Sequence, residues 1–399
     1  MTFATQPGQT IFIAQFNASL RETFGLSHGA FGALYTIATL ASATALVWAG
    51  GLADRLSPRR LAAFSMAGLA AMALLMAAQQ HVAMLVLALA GLRFFGQGML
   101  AHVAMTTMSR WFNRFRGRAL SIAGLGFTLG EASLPFTMTL AIAAFGWRQV
   151  WVGTALVLLA VMLPLIAFLL RDPPDGKRAL ASGQVNPDGA TPGAPTGAGW
   201  TRGAVLRDPL FYAIIPGIMG PPAIGTLFIF HQAHLVAIKG WDLVAFTALF
   251  PVLSATVVLS ALAAGVLVDR FGAWRLMRFI LLPQAVGSLV IATLAPQWTI
   301  PVFFICFGMT SGMLSPVLGA LWAELYGTAH LGAIRALATA AVVAASAIGP
   351  GLAGLLVDAG IELDVQGFGY AAYSLAGVAL YFVLQRPFRR RAATVVAHA

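Results

Sequence analysis

Gly50–Leu61 reads GGLADRLSPRRL. It sets Gly, Asp and three Arg between two long apolar runs, the arrangement of a short charged loop joining two membrane helices. Further along, Gly265–Leu276 reads GVLVDRFGAWRL, so Gly50, Asp54, Arg55, Arg60 and Leu61 are matched by Gly265, Asp269, Arg270, Arg275 and Leu276. Two weaker echoes fall at nearly the same offset: Arg118-Ala119-Leu120 against Arg335-Ala336-Leu337, and Gly98-Met99-Leu100 against Gly312-Met313-Leu314. A pattern written twice at a constant spacing predicts two homologous halves.

Composition places those halves in a membrane. Hydrophobic residues make up 59% of the chain and charged residues 9%, where a soluble domain carries roughly 25% charged. Apolar runs long enough for a hydrocarbon core, about 20 residues each, recur throughout, so the spanning elements are helices; the alternation of a membrane β-barrel is absent. The net charge of +11 sits in short loops between the runs, where it reports topology and calls for no nucleic-acid partner. Cys306, the single cysteine, lies inside an apolar run, which excludes an intrachain disulfide. There is no phosphate-binding loop or ATPase motif, and the reading is of a non-enzyme without cofactors. His231, Gln232 and His234 cluster at one span end but lack the carboxylate or Cys partners of a metal site, so no metal is expected.

Met1–Leu20, MTFATQPGQTIFIAQFNASL, serves as the first span, yet it opens with Thr, Gln, Pro and Gly and has no basic leader of a signal peptide. The expectation is a first helix cut short, with further apolar residues encoded upstream. The next five spans fall near Ala30–Leu52, Leu61–Gln79, Val82–Met108, Ala119–Phe145 and Trp151–Leu170. Residues 171–207, rich in Pro, Gly and Asp, read as a flexible linker. Six more spans follow near Leu210–Leu235, Ala245–Val268, Leu276–Leu294, Ile300–Trp322, Ile334–Val357 and Gly369–Leu384. The predicted organisation is an N-terminal six-helix bundle over 1–170, the linker, a C-terminal six-helix bundle over 208–385 and a basic tail over 386–399.

Arginine sets the orientation. The linker and both Asp-Arg loops share a side with Arg110, Arg114, Arg116, Arg118, Arg386, Arg389, Arg390 and Arg391, while the opposite loops hold Arg21, Arg148 and Lys239 and the acidic Asp358, Glu362 and Asp364. The arginine-rich side is cytoplasmic by the positive-inside rule, and both termini lie there. Many Arg beside two Lys, with short loops, suit a bacterial inner membrane.

The doubled loop resembles the signature of the major facilitator superfamily, which joins that family's second and third helices and, more weakly, its eighth and ninth. The resemblance covers essentially the whole chain. It implies an all-α integral membrane protein, with twelve transmembrane helices in two pseudo-symmetric bundles, working as a monomeric secondary transporter by alternating access. In the family the loop contacts hold the cytoplasmic side closed, which makes Gly50, Asp54, Arg55, Arg60, Gly265, Asp269, Arg270 and Arg275 gating candidates. One departure is Ser57-Pro58, where the first copy usually has Gly.

The sharper chemistry lies inside the membrane. Arg93, in LRFFGQG, is about ten residues into the fourth span, or about 15 Å at the helical rise, and Glu131, in GLGFTLGEASLP, is at similar depth in the fifth. Charges there need a partner or a wet cavity and are functional candidates by default. They are expected to pair with each other, and a static bridge that fixes helix packing is the structural alternative. Arg93 also resembles the Arg of the family's fourth-helix signature. Gln97, one turn on, is expected on the same face. Gln9, Gln15 and Asn17 in the first span either line the cavity or glue helices together.

Three functions fit these residues. The first is proton-coupled transport of a small organic anion such as a monocarboxylate, with Arg93 as the anchor and Glu131 as the proton carrier; the stretch around RGRALSIAG is similar to the monocarboxylate and oxalate–formate branch. The second is drug:proton antiport, whose fifth-helix signature is matched in part by Gly126, Gly130, Glu131 and Pro135. The third is a membrane receptor or scaffold that carries nothing.

Overall fold

The computed structural model describes residues 1–112, 116–170, 200–328 and 330–397. The side chains of Asp54, Arg55, Arg110, Arg114 and Arg116, and linker residues 171–199, lie outside the described residues. Among the described residues ten single helices are long and apolar enough to cross a membrane. They are His28–Ala49, Pro58–Ala78, Val82–Met108, Arg118–Phe145 and Trp147–Leu169, then Pro209–Phe230, Leu243–Phe271, Ala273–Thr293, Thr299–Tyr326 and Leu331–Asp358. An eleventh is bent by 50° between Leu363–Val383 and Gln385–Val395. These are the second to twelfth spans of the expected all-α fold.

The first span is the exception, because it is not one helix. Phe3–Gly8 is a 3-10 helix, Thr10–Ile13 an α-turn, Ala14–Phe16 a second 3-10 turn and Asn17–Phe24 an α-helix. The Pro7-Gly8 pair disfavours a regular helix, and at Gln9 the backbone turns extended, with φ −84° and ψ 147°. Such backbone survives at membrane depth only when protein surrounds it. Accordingly, Ala4 to Gly8 and Ile11 to Ala14 are all buried.

Two compact units emerge. The first comprises Met1–Gly189, Ile229–His234 and Asp242–Phe250, and the second Ala190–Phe228, Leu235–Trp241 and Pro251–Ala399. The core of the first unit joins Met66, Leu69, Leu85, Leu89 and Leu92 to an aromatic group in which Phe16 lies 4.6 Å and Phe12 5.4 Å from the Trp151 ring. In the second unit Phe211, Met277, Trp322, Tyr326 and Tyr381 form the centre. Outward positions are apolar as well. Trp48, Ile122, Phe145, Leu262 and Val383 are between 66% and 84% exposed, a surface that suits lipid and not water.

The two Asp-Arg loops start the following helix by different chemistry. In the first copy Ser57 is the cap: its Oγ accepts from the Arg60 N–H at 3.4 Å, and Pro58 occupies the first helical position, where its missing N–H is harmless. The Ser-Pro departure from the family pattern is therefore a helix start in its own right. In the second copy Gly272 takes φ +83° and has no side chain to cap with. Glu324 of the tenth span supplies the acceptors instead, from Ala273 N–H at 2.7 Å and Trp274 N–H at 3.0 Å.

At the same end of the second unit the tail helix folds back onto the start of the seventh span. The Arg391 guanidinium forks onto the buried Asp208 carboxylate at 2.7 and 3.3 Å, and the Tyr326 hydroxyl donates to the same group at 2.9 Å. Arg391 also stacks 4.2 Å above the Trp200 ring, and Phe388 is fully buried.

Candidate functional site

The break in the first span decides where the polar chemistry of the first unit gathers. A helix that stops at Gly8 leaves that residue's carbonyl without an intrahelical partner. Facing it, the fourth span runs as a π-helix over Arg93–Leu100, a rare winding that is frequent at functional sites. The two irregular stretches are pressed together. A Cβ on Gly8 would sit 2.3 Å from the Leu92 carbonyl oxygen, and one on Gly96 would sit 2.8 Å from the Gly8 Cα, so both positions demand glycine.

Arg93 closes the gap. Its Nη1 donates to the Gly8 carbonyl at 3.3 Å and to the Thr10 hydroxyl at 3.0 Å, so that one guanidinium straddles the break at Gln9. Thr10 Oγ1 is in turn 2.6 Å from the Tyr35 hydroxyl, and the Arg93 guanidinium carbon lies 5.3 Å from the Tyr35 ring centroid. The residue is 3% exposed, and its Nε is buried without a partner. Every group that Arg93 bonds is neutral.

The fifth span is fitted to the same segment by a repeat of four. Thr2 Oγ1 donates to the Ala123 carbonyl at 2.6 Å and Gln6 Nε2 to the Phe127 carbonyl at 3.0 Å. Gly126 and Gly130 leave room beneath them: a Cβ on either would meet Thr2 or Gln6 within 2.4 Å. Glu131 follows Gly130 and is turned about 100° away from that contact. It is half-buried, and among the described residues it makes no hydrogen bond or ion pair. The expected bridge between Arg93 and Glu131 is therefore absent. The helix break supplies partners that sequence spacing does not reveal, and the glycine face, not the glutamate, meets the first span.

The remaining candidates divide. Gln15 is helix glue: its Nε2 donates to the Ile11 carbonyl at 3.0 Å, and its Oε1 accepts from Thr139 of the fifth span at 3.3 Å. Buried Asn17 likewise donates to the Phe230 carbonyl at 2.7 Å. Gln9 is half-buried at the break itself, with one long bond, 3.4 Å, to Thr5. Gln97 does not follow Arg93 inward and is exposed. In the second loop copy Asp269, Arg270 and Arg275 are exposed, and Arg275 lies against the Trp274 ring at 4.9 Å. Gly50 and exposed Arg60 flank the first copy. Sequence reasoning missed Thr10, Tyr35 and Gln6; the one available signal was the Gln-Pro-Gly-Gln run, which marks a breakable helix.

The family profile described as Major Facilitator Superfamily matches residues 1–350. The chain belongs to the major facilitator superfamily. As a superfamily member it is 25% identical over 239 residues to the MFS transporter asaE of Aspergillus flavus, an alignment that covers 58% of this chain and 49% of that one. It is 33% identical over 132 residues to a Multidrug resistance protein B homolog of Mycobacterium tuberculosis, covering 31% of this chain and 24% of the relative. The chain thus spans about half the length of the first relative and about a quarter of the second. Among solved structures, a bacterial homolog of the human lysosomal transporter Spinster superposes with a TM-score of 0.74 at 15% identity, over 98% of this chain and 96% of that one. The superposition shows the major facilitator fold, and with it a multi-pass membrane protein.

Proposed function

We propose that this superfamily member is a secondary active transporter working by alternating access, proton-coupled and carrying a small organic anion such as a monocarboxylate. One observation carries the reading: Arg93 is a buried cation whose hydrogen bonds all go to neutral groups. Leaving such a charge uncompensated in a low-dielectric interior costs several kcal/mol. An anionic substrate offsets that cost when it binds, and the guanidinium fork matches a carboxylate. Glu131, with no partner of its own among the described residues, is the proposed proton carrier, and Gln9 at the break is the proposed substrate contact. Gln97, Gln15 and Asn17 stay in the proposed pathway as support. The Asp-Arg loops are the proposed gates.

The proposed setting is a bacterial inner membrane, with a monomer of two six-helix halves, 1–170 and 208–385, and both termini cytoplasmic. A second reading, drug:proton antiport, is favoured by the similarity to the multidrug resistance homolog.

Purified protein in liposomes holding an internal pH dye separates these readings. Small carboxylates are expected to acidify the interior, and Arg93→Ala to abolish the signal. Alkalinisation driven by cationic drugs instead establishes the antiport reading. Silence with both panels sinks both readings and leaves the substrate class open.

A further inference from the structure

Between the tenth span (Thr299–Tyr326) and the eleventh (Leu331–Asp358), the second unit holds a cavity of about 350 Å³. Ser311, Ser315, Gly319 and Trp322 line one wall and Arg335 and Thr339 the other, with aliphatic side chains completing both. The four-residue spacing of Ser311 and Ser315, and of Arg335 and Thr339, stacks each pair on one helix face. All four side chains are exposed. The other outward positions of these two helices are of another kind: Ile305, Met309, Val343, Ile348, Leu352 and Leu355 suit lipid. A guanidinium and three hydroxyls do not, so this face borders water.

Ser311 lies near the middle of the tenth span and Trp322 in its last turns, which makes the cavity about 16 Å long at the helical rise. Its Trp322 end lies near the Asp269-Arg270 loop, since Glu324, two residues on, caps the helix that follows that loop. Arg335 is tethered there by one arm, its Nη2 donating to the Gly319 carbonyl. Its other donors have no protein partner among the described residues. The neighbouring carboxylate of the tenth span, Glu324, is occupied by the Ala273 and Trp274 N–H groups.

We infer that this cavity is an anion-binding station for a small carboxylate, held at its Arg335 end by the guanidinium with the hydroxyls of Ser315 and Thr339. The inference rests on the anion-transport reading for its substrate class, whereas the charge preference of the site rests on its own residues. The volume is at the lower end for a ligand pocket, roughly 300–1,000 Å³, and so suits a small molecule. A planar fork tethered by one arm leaves donors free for a bidentate carboxylate.

The test uses Ser315→Cys placed in the Cys306→Ser protein, reconstituted in liposomes. Its rate of modification is measured with the anionic sulfonatoethyl methanethiosulfonate and with the cationic trimethylammonium analogue. With each rate divided by that reagent's rate with free 2-mercaptoethanol, the anionic reagent is expected to react about tenfold faster, as electrostatic focusing in a cleft predicts. Sodium lactate is expected to slow that reaction, Arg335→Gln to remove the preference and Arg335→Lys to keep most of it. Equal rates, or no reaction with either reagent, overturn the station. A preference that lactate fails to slow overturns it too, because that is surface potential without a site. Arg93→Ala leaves the labelling pattern unchanged. A protein that shows the preference and the protection but no carboxylate-driven proton flux therefore keeps the station while losing the transport reading.

Discussion

Arg93 brings a full charge to a place where a carbonyl, a hydroxyl and an aromatic ring receive it. A lysine there keeps the charge and can donate to Gly8 and Thr10 from one nitrogen, as Arg93 Nη1 does, but it has no planar guanidinium to lie on Tyr35 or to offer a carboxylate a second arm. Arg93→Lys is accordingly expected to retain the fold and lower the initial rate of carboxylate uptake by about tenfold, the loss of one charge-assisted hydrogen bond. Uptake at the wild-type rate would show that charge alone matters. Glu131 tests the other half of the reading. Glu131→Gln is expected to leave downhill exchange of substrate intact and to abolish accumulation driven by a pH gradient; unchanged pH dependence would reject the carboxylate as carrier. The depth of both residues is legible in the sequence because it follows from counting along a helix. Their partners are not. The Gly8 carbonyl is free only because the first span breaks, and Glu131 is kept off the first span by a glycine face that becomes visible once Thr2 and Gln6 are docked on it.

Elements inherit these local decisions. The first span and the π-wound part of the fourth touch through Gly8 and Gly96, so one added side chain acts on the whole contact. Gly96→Val is expected to destabilise the first unit by about 1–3 kcal/mol, as overpacking does, and to abolish uptake by displacing Arg93 from the break. The checks are a thermal melt in detergent together with the flux assay; normal uptake would mean that the backbone gives way without loss. The Asp-Arg loops teach a related lesson. Their positions between apolar runs were readable from Gly50–Leu61 and its echo, but the way each starts the next helix was not. Ser57 caps its own helix, a local rule that sequence carries plainly. Glu324 caps the ninth span from the far side of a second helix, and no spacing rule reaches across that interval.

For the molecule as a whole, the doubled pattern predicts two halves, and the match to the major facilitator profile over residues 1–350 gives that prediction its family. The halves are not equipped alike. Arg93 in the first has its counterpart near Phe307 in the second, where Arg335 is one of several exposed arginines and is set toward a span end. The second half also carries the clasp of Arg391 on Asp208, a carboxylate 4% exposed. Arg391→Ala is expected to lower stability by about 2 kcal/mol, somewhat less than a fully buried pair because the arginine is part-exposed. A melt in detergent reads the loss, with exposed Arg390→Ala as the unaffected control. The clasp also bears on biosynthesis. Asp208 leaves the ribosome 183 residues ahead of Arg391, so the seventh span is threaded into the membrane while its carboxylate still lacks its counter-ion. Arg391 must be made before that site can close, which makes the helix that carries it a checkpoint on assembly of the second unit.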